Sequence, residues 1–368
     1  MAVFAERLAE VQRRMRASGA GALIVGPGDN LRYLTGWSED GHERFLALVL
    51  PASGEPALVV PVMNAAQSRG NPAGISHVIG WADDEGWQPA VMTLLARYMS
   101  AGAALAVNEE LQSVHLLGLQ QAFPGSPCRT SCQLIGPLRA VKSAEEVALL
   151  RRSAAAADAV YRDTLPALGR GVSETEVQER IAALFRAHGA EEHFALVCFG
   201  ANAALPHHRS GSARLAEGDI VVLDIGCRLA GYWSDITRTV AFVRPPEGAE
   251  QDYRLVREAH MAARQAARPG IPCERVDAAA RGVIERAGCG PLFLHRTGHG
   301  IGISCHEEPY IVRGNDERLA PGMAFSDEPG VYREGQYGVR IESILVVTDD
   351  GAEDLNAPAP DELERVGA

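Results

Sequence analysis

Apolar residues at Phe4, Leu8, Val11 and Met15 recur every three or four positions among charged ones, a spacing that predicts an amphipathic helix over residues 4–18. Gly19 and Gly21 then introduce Ala22–Val25, an apolar run of strand length stopped by the turn Gly26-Pro-Gly-Asp-Asn30. Two further runs, Phe45–Leu50 and Ala57–Val60, each end at a proline. Helix alternating with buried strand predicts a small α/β domain.

Near residue 135 the texture changes. Ser143-Ala-Glu-Glu146 reads as a capping box, in which the serine oxygen accepts a backbone N–H and Glu146 reaches back, so a long helix should begin there. The expected boundary is Gly136-Pro137, which divides the chain into domains 1–136 and 137–368. Inside the second domain, Arg170–Val177 and Pro269–Val276 echo one another. Each follows one helix and opens another, and each precedes a Gly-rich stretch and a strand pair with two acidic residues. Short matches of this kind also arise by chance, but two similar halves facing each other would gather those carboxylates.

Composition narrows the function classes. Of 368 residues, 46% are apolar and 22% charged, ordinary for two soluble globular domains. With 35 Lys+Arg against 47 Asp+Glu the formal charge is −12, and the arginines are scattered, which argues against nucleic acid as a partner. The charged amino-terminal segment lacks the apolar core of a signal peptide, and no run approaches the roughly 18–20 apolar residues of a membrane span. A cytoplasmic chain with no membrane partner is expected. The seven cysteines form no CxxC pair, and Cys128 and Cys132 lack the second pair of a zinc framework, so reduced thiols are expected.

The chemistry concentrates in the last 150 residues or so of the chain. Ile220-Val-Val-Leu-Asp224-Ile-Gly226 puts an acid inside an apolar strand, which is costly unless the acid is paired, hydrogen-bonded or bound to a cation. Asp235 follows in Ser234-Asp-Ile-Thr-Arg-Thr239, across a turn that would set the two acids side by side. A turn cap plus an Arg238 ion pair would explain this pair equally well. Glu328 and Glu342 repeat the arrangement across a second Gly-rich turn, and between the pairs lies His295-Arg-Thr-Gly-His299-Gly-Ile-Gly302, followed by His306. Four carboxylates and an imidazole suit two divalent cations, Mn2+ above all, with Co2+ or Zn2+ as alternatives. Cations so held acidify a bridging water to hydroxide and polarise a carbonyl, the requirements of amide hydrolysis.

In order, LDIG, SDITRT, HRTGHGIG, HEEP, DEPGVY and VRIES resemble the pita-bread metallopeptidases, and within them the Xaa-Pro dipeptidases (prolidases) and aminopeptidase P. The first third, with TGW after a strand–loop segment, resembles the creatinase-like N-terminal domain of that branch. The resemblance implies an α/β (α+β) fold, with that small domain followed by a pita-bread catalytic domain of pseudo-two-fold halves. It implies Asp224, Asp235, His299, Glu328 and Glu342 as metal ligands, with Asp235 and Glu342 the bridging or bidentate carboxylates and Glu328 also the proton acceptor. His207 and His306 are implied as catalytic histidines, His295 as a residue lining the substrate pocket, and His208 as a neighbour. Arg340 is implied to orient carboxylates near the substrate. Homodimerisation is implied as well.

Three positions depart from the family pattern: Asp327 stands for a usual Ile or Val, Ser343 for an acid, and Tyr310 for the arginine with which some prolidases hold the substrate carboxylate. Arg44, Arg313 and Arg333 are the candidate replacements, Arg44 first because its loop, Trp37–Arg44, belongs to the first domain. The expected activity is hydrolysis before proline in Xaa-Pro dipeptides by a metal-bridging hydroxide. Aminopeptidase P action on longer peptides is the alternative. A metal-dependent small-molecule hydrolase and a non-enzymatic interaction module rank below both.

Overall fold

The helical spacing at the amino end folds as the helix Ala2–Ser18, whose buried face is Leu8, Val11 and Met15. The computed structural model describes residues 2–100 and 102–367. The chain divides into two units, Met1–Leu138 and Arg139–Ala368. Their junction falls inside the helix Cys132–Ala140, which carries Pro137.

In the first unit, the strand Ala20–Val25 is buried along its whole length. It pairs antiparallel with Ala47–Pro51 and parallel with Ala104–Val107. Six strands form the sheet, in the order Val78–Trp81, Ala57–Pro61, Ala47–Pro51, Ala20–Val25, Ala104–Val107, Cys128–Thr130. Cover on both faces explains why these strands read as continuous apolar runs rather than as alternations. The expected strand Phe45–Leu50 enters the ladder only at Ala47. Phe45 instead stacks on Trp87 at 4.0 Å between ring centroids, and its carbonyl accepts from the Trp81 indole at 2.9 Å.

The second unit opens with the expected cap: Ser143 Oγ accepts from the Glu146 N–H and Glu146 from the Ser143 N–H, ahead of the helix Ala144–Thr164. Ser173 and Glu176 repeat the device before the helix Glu174–Ala187. The helices Ala249–Ala266 and Cys273–Arg286 hold the corresponding places in the second half. The sequence echo is matched in the backbone, because Ser173 bridges to Arg214 just as Pro272 bridges to Arg318.

Each half carries a sheet. The first runs Glu364–Val366, Ile236–Phe242, Ile220–Leu229, Glu192–Phe199. The second runs Glu307–Ile311, Gly298–Gly300, Ala324–Asp327, Ser343–Val347, Ala352–Asp354, and the hairpin Gly330–Arg333/Tyr337–Arg340 stands beside it in sequence. One apolar core packs Tyr253, Ile284, Phe325 and Ile341, and another packs Phe185, Val197, Ile225 and Phe242. Among the described residues no helix is long and apolar enough to cross a membrane. All seven cysteines are free thiols.

Candidate metal centre and substrate cavity

Strand register gathers the carboxylates. Ile220–Leu229 and Ile236–Phe242 pair antiparallel with Asp224 opposite Thr237, so Asp235, just ahead of the second strand, lies diagonally across from Asp224. Gly330 pairs with Arg340, and continuing that register two residues outward sets Glu328 opposite Glu342. An isolated bridge between Thr237 and Glu342 joins the two halves, with the Glu342 N–H donating to the Thr237 carbonyl at 3.1 Å. His299 sits on the short strand Gly298–Gly300, whose glycines are sterically required. A Cβ on Gly298 would fall 1.7 Å from the Ser326 carbonyl oxygen, and one on Gly300 2.2 Å from that of Glu308.

The resulting cluster is short of positive charge. Donor atoms of Asp235, His299 and Glu342 all lie within 4.8 Å of one another. His299 Nε2 is 3.7 Å from Asp235 and 3.5 Å from Glu328. Its Nδ1 lies 3.1 Å from the Gly300 carbonyl, which fixes the proton on Nδ1 and leaves the Nε2 lone pair facing the carboxylates. Burial, with His306 nearby, lowers the His299 pKa to about 3, so the ring is a neutral donor at neutral pH. Burial and the neighbouring acids push Asp235 and Glu342 well above the usual carboxylate range. Burial, opposed by Arg340 and reinforced by Asp224, brings Glu328 to about 7.

Asp235 Oδ1 is buried without a hydrogen-bond partner. A carboxylate oxygen so placed is costly unless a cation meets it. The orphaned oxygen, the crowded acids and the neutral imidazole fit divalent metal, and this donor set suits Mn2+, Co2+ or Zn2+.

Arg340 is the cation built into the cluster's wall. It donates to Asp224 at 2.5 Å, to Thr237 Oγ1 at 3.1 Å and to the Tyr332 hydroxyl at 3.0 Å, while Thr237 Oγ1 donates to Glu342 at 2.6 Å. Burial opposes its charge, but Tyr332 and the acids outweigh that and hold it protonated. The Tyr332 hydroxyl accepts from Arg340 and donates to His295 Nε2 at 2.7 Å, and His295 Nδ1 then donates to the Arg296 carbonyl at 2.8 Å. His295, kept neutral by burial and Arg340 with its pKa near 4, therefore has both nitrogens engaged.

A cavity of about 630 Å3 opens onto the cluster, lined by all five candidate ligands together with His207, His295, Arg296, Cys305, His306 and Arg340. Phe194, Leu196 and Pro206 supply its apolar wall. Phe194 pairs across the ladder with Gly226, where a Cβ would lie 2.4 Å from the phenyl ring. His306 packs at a tilt against His299 with centroids 4.0 Å apart, and desolvation and Arg296 lower its pKa.

The three arginines weighed from sequence each have an acidic neighbour. Arg44 chelates Asp83 through Nε and Nη2 at 2.9 and 3.0 Å within the first unit. Arg333 chelates Asp252 at 2.5 and 2.8 Å. Arg313 is exposed, 3.7 Å from Glu285. A further arginine, which the sequence reading did not single out, lines the cavity: Arg296 is half-buried on its wall with its guanidinium 4.4 Å from the centre of the Tyr310 ring. Its place within HRTGHGIG, three residues before His299, puts it near the cluster but does not reveal its contact with Tyr310. At the other departures, buried Asp327 lies 3.0 Å from His260 Nδ1 without a well-formed hydrogen bond, and Ser343 accepts from Arg238 at 3.4 Å.

The pattern of metallopeptidase family M24 matches residues 148–349, and that of the creatinase/prolidase N-terminal domain matches residues 7–141. The chain belongs to metallopeptidase family M24. A probable dipeptidase PepE of Mycobacterium bovis is 42% identical over 359 residues, covering 96% of this chain and 94% of that protein. The crystal structure of dipeptidase PepE from Mycobacterium ulcerans superposes with a TM-score of 0.94 at 41% identity, covering 100% of this chain and 99% of the other. Recombinant prolidase from Thermococcus sibiricus gives a TM-score of 0.93 at 33% identity, with 99% of each chain covered. The fold is that of the family: a creatinase-type N-terminal domain followed by a pita-bread domain, here with the acidic cluster at the seam of its halves.

Proposed function

We propose that this metallopeptidase is a dinuclear-metal dipeptidase that cleaves the bond before proline in Xaa-Pro dipeptides. The observation that carries this reading is Arg296. Among the described residues it has no carboxylate partner, it is fixed against Tyr310, and it faces the cavity that holds the cluster. A dipeptide presents its carboxylate two bonds beyond the imide nitrogen, so one cation near the reacting centre selects for a free C-terminus. The kinship to a named prolidase supports proline at that position. The wall of Phe194, Leu196 and Pro206 supports an apolar partner for a substrate ring or side chain that lacks an N–H to grip.

Two divalent cations, Mn2+ in the first instance, would be held by Asp224, Asp235, His299, Glu328 and Glu342, and would supply an acidified water and a polarised scissile carbonyl. Glu328 takes the proton from the attacking water on a carboxylate oxygen. His306, neutral at working pH, donates an N–H to the developing oxyanion. His207 carries a proton to the leaving prolyl nitrogen. Arg340 holds Asp224 aligned through the hydrogen bond described above. Glu328 thus takes a proton in the first step and releases one in the second, and the net reaction is addition of water across the imide.

The reading is tested by assaying Ala-Pro and Leu-Pro beside Xaa-Pro-Pro tripeptides with added Mn2+. Preference for dipeptides supports it. Preference for tripeptides would make the protein an aminopeptidase P, and no turnover of either by metal-loaded protein would point to a small-molecule hydrolase of the same fold. Metal analysis and light scattering on the same sample check the two ions per chain and the homodimer that belong to the proposal.

A further inference from the structure

Glu174 is the first residue of the helix Glu174–Ala187, a place where an acid ordinarily does no more than favour the helix start. Here its carboxylate is fully buried and each oxygen receives two donors. The Phe199 N–H and the Asn202 side-chain amide donate to Oε1, both at 2.9 Å. His208 Nε2 at 2.9 Å and the Gly211 N–H at 2.8 Å reach Oε2. All four partners lie in the segment 199–211, which follows the strand Glu192–Phe199 and carries His207 to the cavity. Helix backbone adds to the grip, as the Glu174 and Thr175 N–H groups donate to Ala213 and Gly211 carbonyls at 3.1 and 3.0 Å.

The neighbours His207 and His208 therefore divide their work: one ring lines the cavity, and the other reaches back to a buried acid. We propose that Glu174, with His208 as its partner, is the positioning device that holds His207 at the reacting centre. The inference rests on the role given to His207 above. Burial opposes ionisation of Glu174, but its donors, Asn202 and His208 foremost, outweigh that and hold its pKa below the usual carboxylate value. A carboxylate is required because it alone accepts four hydrogen bonds. A glutamine amide could satisfy Asn202 after an amide flip, or His208 after a change of tautomer. In either orientation its NH2 would still oppose a backbone N–H, that of Phe199 or that of Gly211.

The test is a double-mutant cycle on the metal-loaded enzyme. Glu174→Gln is expected to lower kcat/KM on an Xaa-Pro dipeptide roughly 10- to 100-fold, mainly through kcat, as misplacement of a catalytic group does. Metal content should be unchanged, because no ligand is touched. In a His207→Ala background the same substitution should cost less than about twofold, since Glu174 acts through His207. Losses that multiply fully in the double variant would overturn the proposal, as would wild-type kcat/KM in Glu174→Gln. Should Glu174→Gln fail to fold, Asn202→Ala and His208→Ala each remove one donor and should show a smaller loss with the same cancellation. Nitrogen NMR of the His207 imidazole needs no substrate. Averaged ring resonances in Glu174→Gln support the positioning, and unchanged ones refute it even if the substrate is not an Xaa-Pro peptide.

Discussion

Replacing Arg296 with alanine isolates the claim that the enzyme selects a free carboxylate. The guanidinium is half-buried and stacked at 4.4 Å on Tyr310, so it arrives oriented and loses little freedom when substrate binds. A hydrogen bond to a charged group contributes about 1.5–3 kcal/mol, which corresponds to a roughly 10- to 150-fold fall in kcat/KM for Leu-Pro. The assay compares Leu-Pro with Leu-prolinamide, which has the same imide bond and no carboxylate. Wild type should prefer the acid, whereas Arg296→Ala should turn over the two at similar rates, with the loss falling chiefly on KM. Arg296→Lys should recover part of the preference, since an ammonium keeps the charge without the planar fork. Equal losses on acid and amide would refute the reasoning and would leave Arg296 as a packing partner of Tyr310.

The remaining predictions concern the metal cluster. Asp235→Asn or Glu342→Gln should abolish activity together with metal retention, whereas His306→Ala should keep its metal by elemental analysis and lose kcat. Retained metal in the first pair, or unchanged kcat in the last, would refute the assigned roles. The pH dependence of the metal-free protein follows from Glu328, whose folded-state pKa of about 7 lies above its ordinary value. A raised pKa favours folding below the unfolded value of about 4.5, and that advantage is lost as pH rises through the folded one. Glu328→Gln should therefore gain in melting temperature over wild type between about pH 4.5 and 7 without metal, and Mn2+ should reverse the order. A pH-independent difference between the two would count against the raised pKa.

The residues legible in the sequence were those whose burden shows locally. Asp224 interrupts an apolar strand, His299 is crowded by glycines that no side chain could replace, and Ser143 stands three residues before its capping glutamate. Each is a conflict or a complement within a few positions. Arg296, Glu174 and Asp327 were illegible for a common reason: their meaning depends on partners fixed by register or packing. Tyr310 lies opposite His299 on the neighbouring strand, so it comes beneath Arg296 only once those strands pair. Glu174 looks like an ordinary helix-opening acid until the segment 199–211 folds over it. Asp327 in place of an apolar residue looks like a solvated acid, and only the packing of the helix Ala249–Ala266 supplies His260.

The bridge between Thr237 and Glu342 has a consequence for how the enzyme acquires its metal. Two of the five candidate ligands precede residue 240 and three follow residue 298, so neither half alone contains the set. The first half by itself places only Asp224 and Asp235 of the candidate ligands, on and beside a strand that also carries Cys227, and its sheet is completed at one edge by Glu364–Val366 from the end of the chain. The imidazole and the remaining acids arrive with the last seventy residues or so, and the seam closes only when Glu342 reaches Thr237. In the proposed reading a metal ion therefore meets its full ligand set only after both halves have folded, in a cavity whose shape and charge are already fixed.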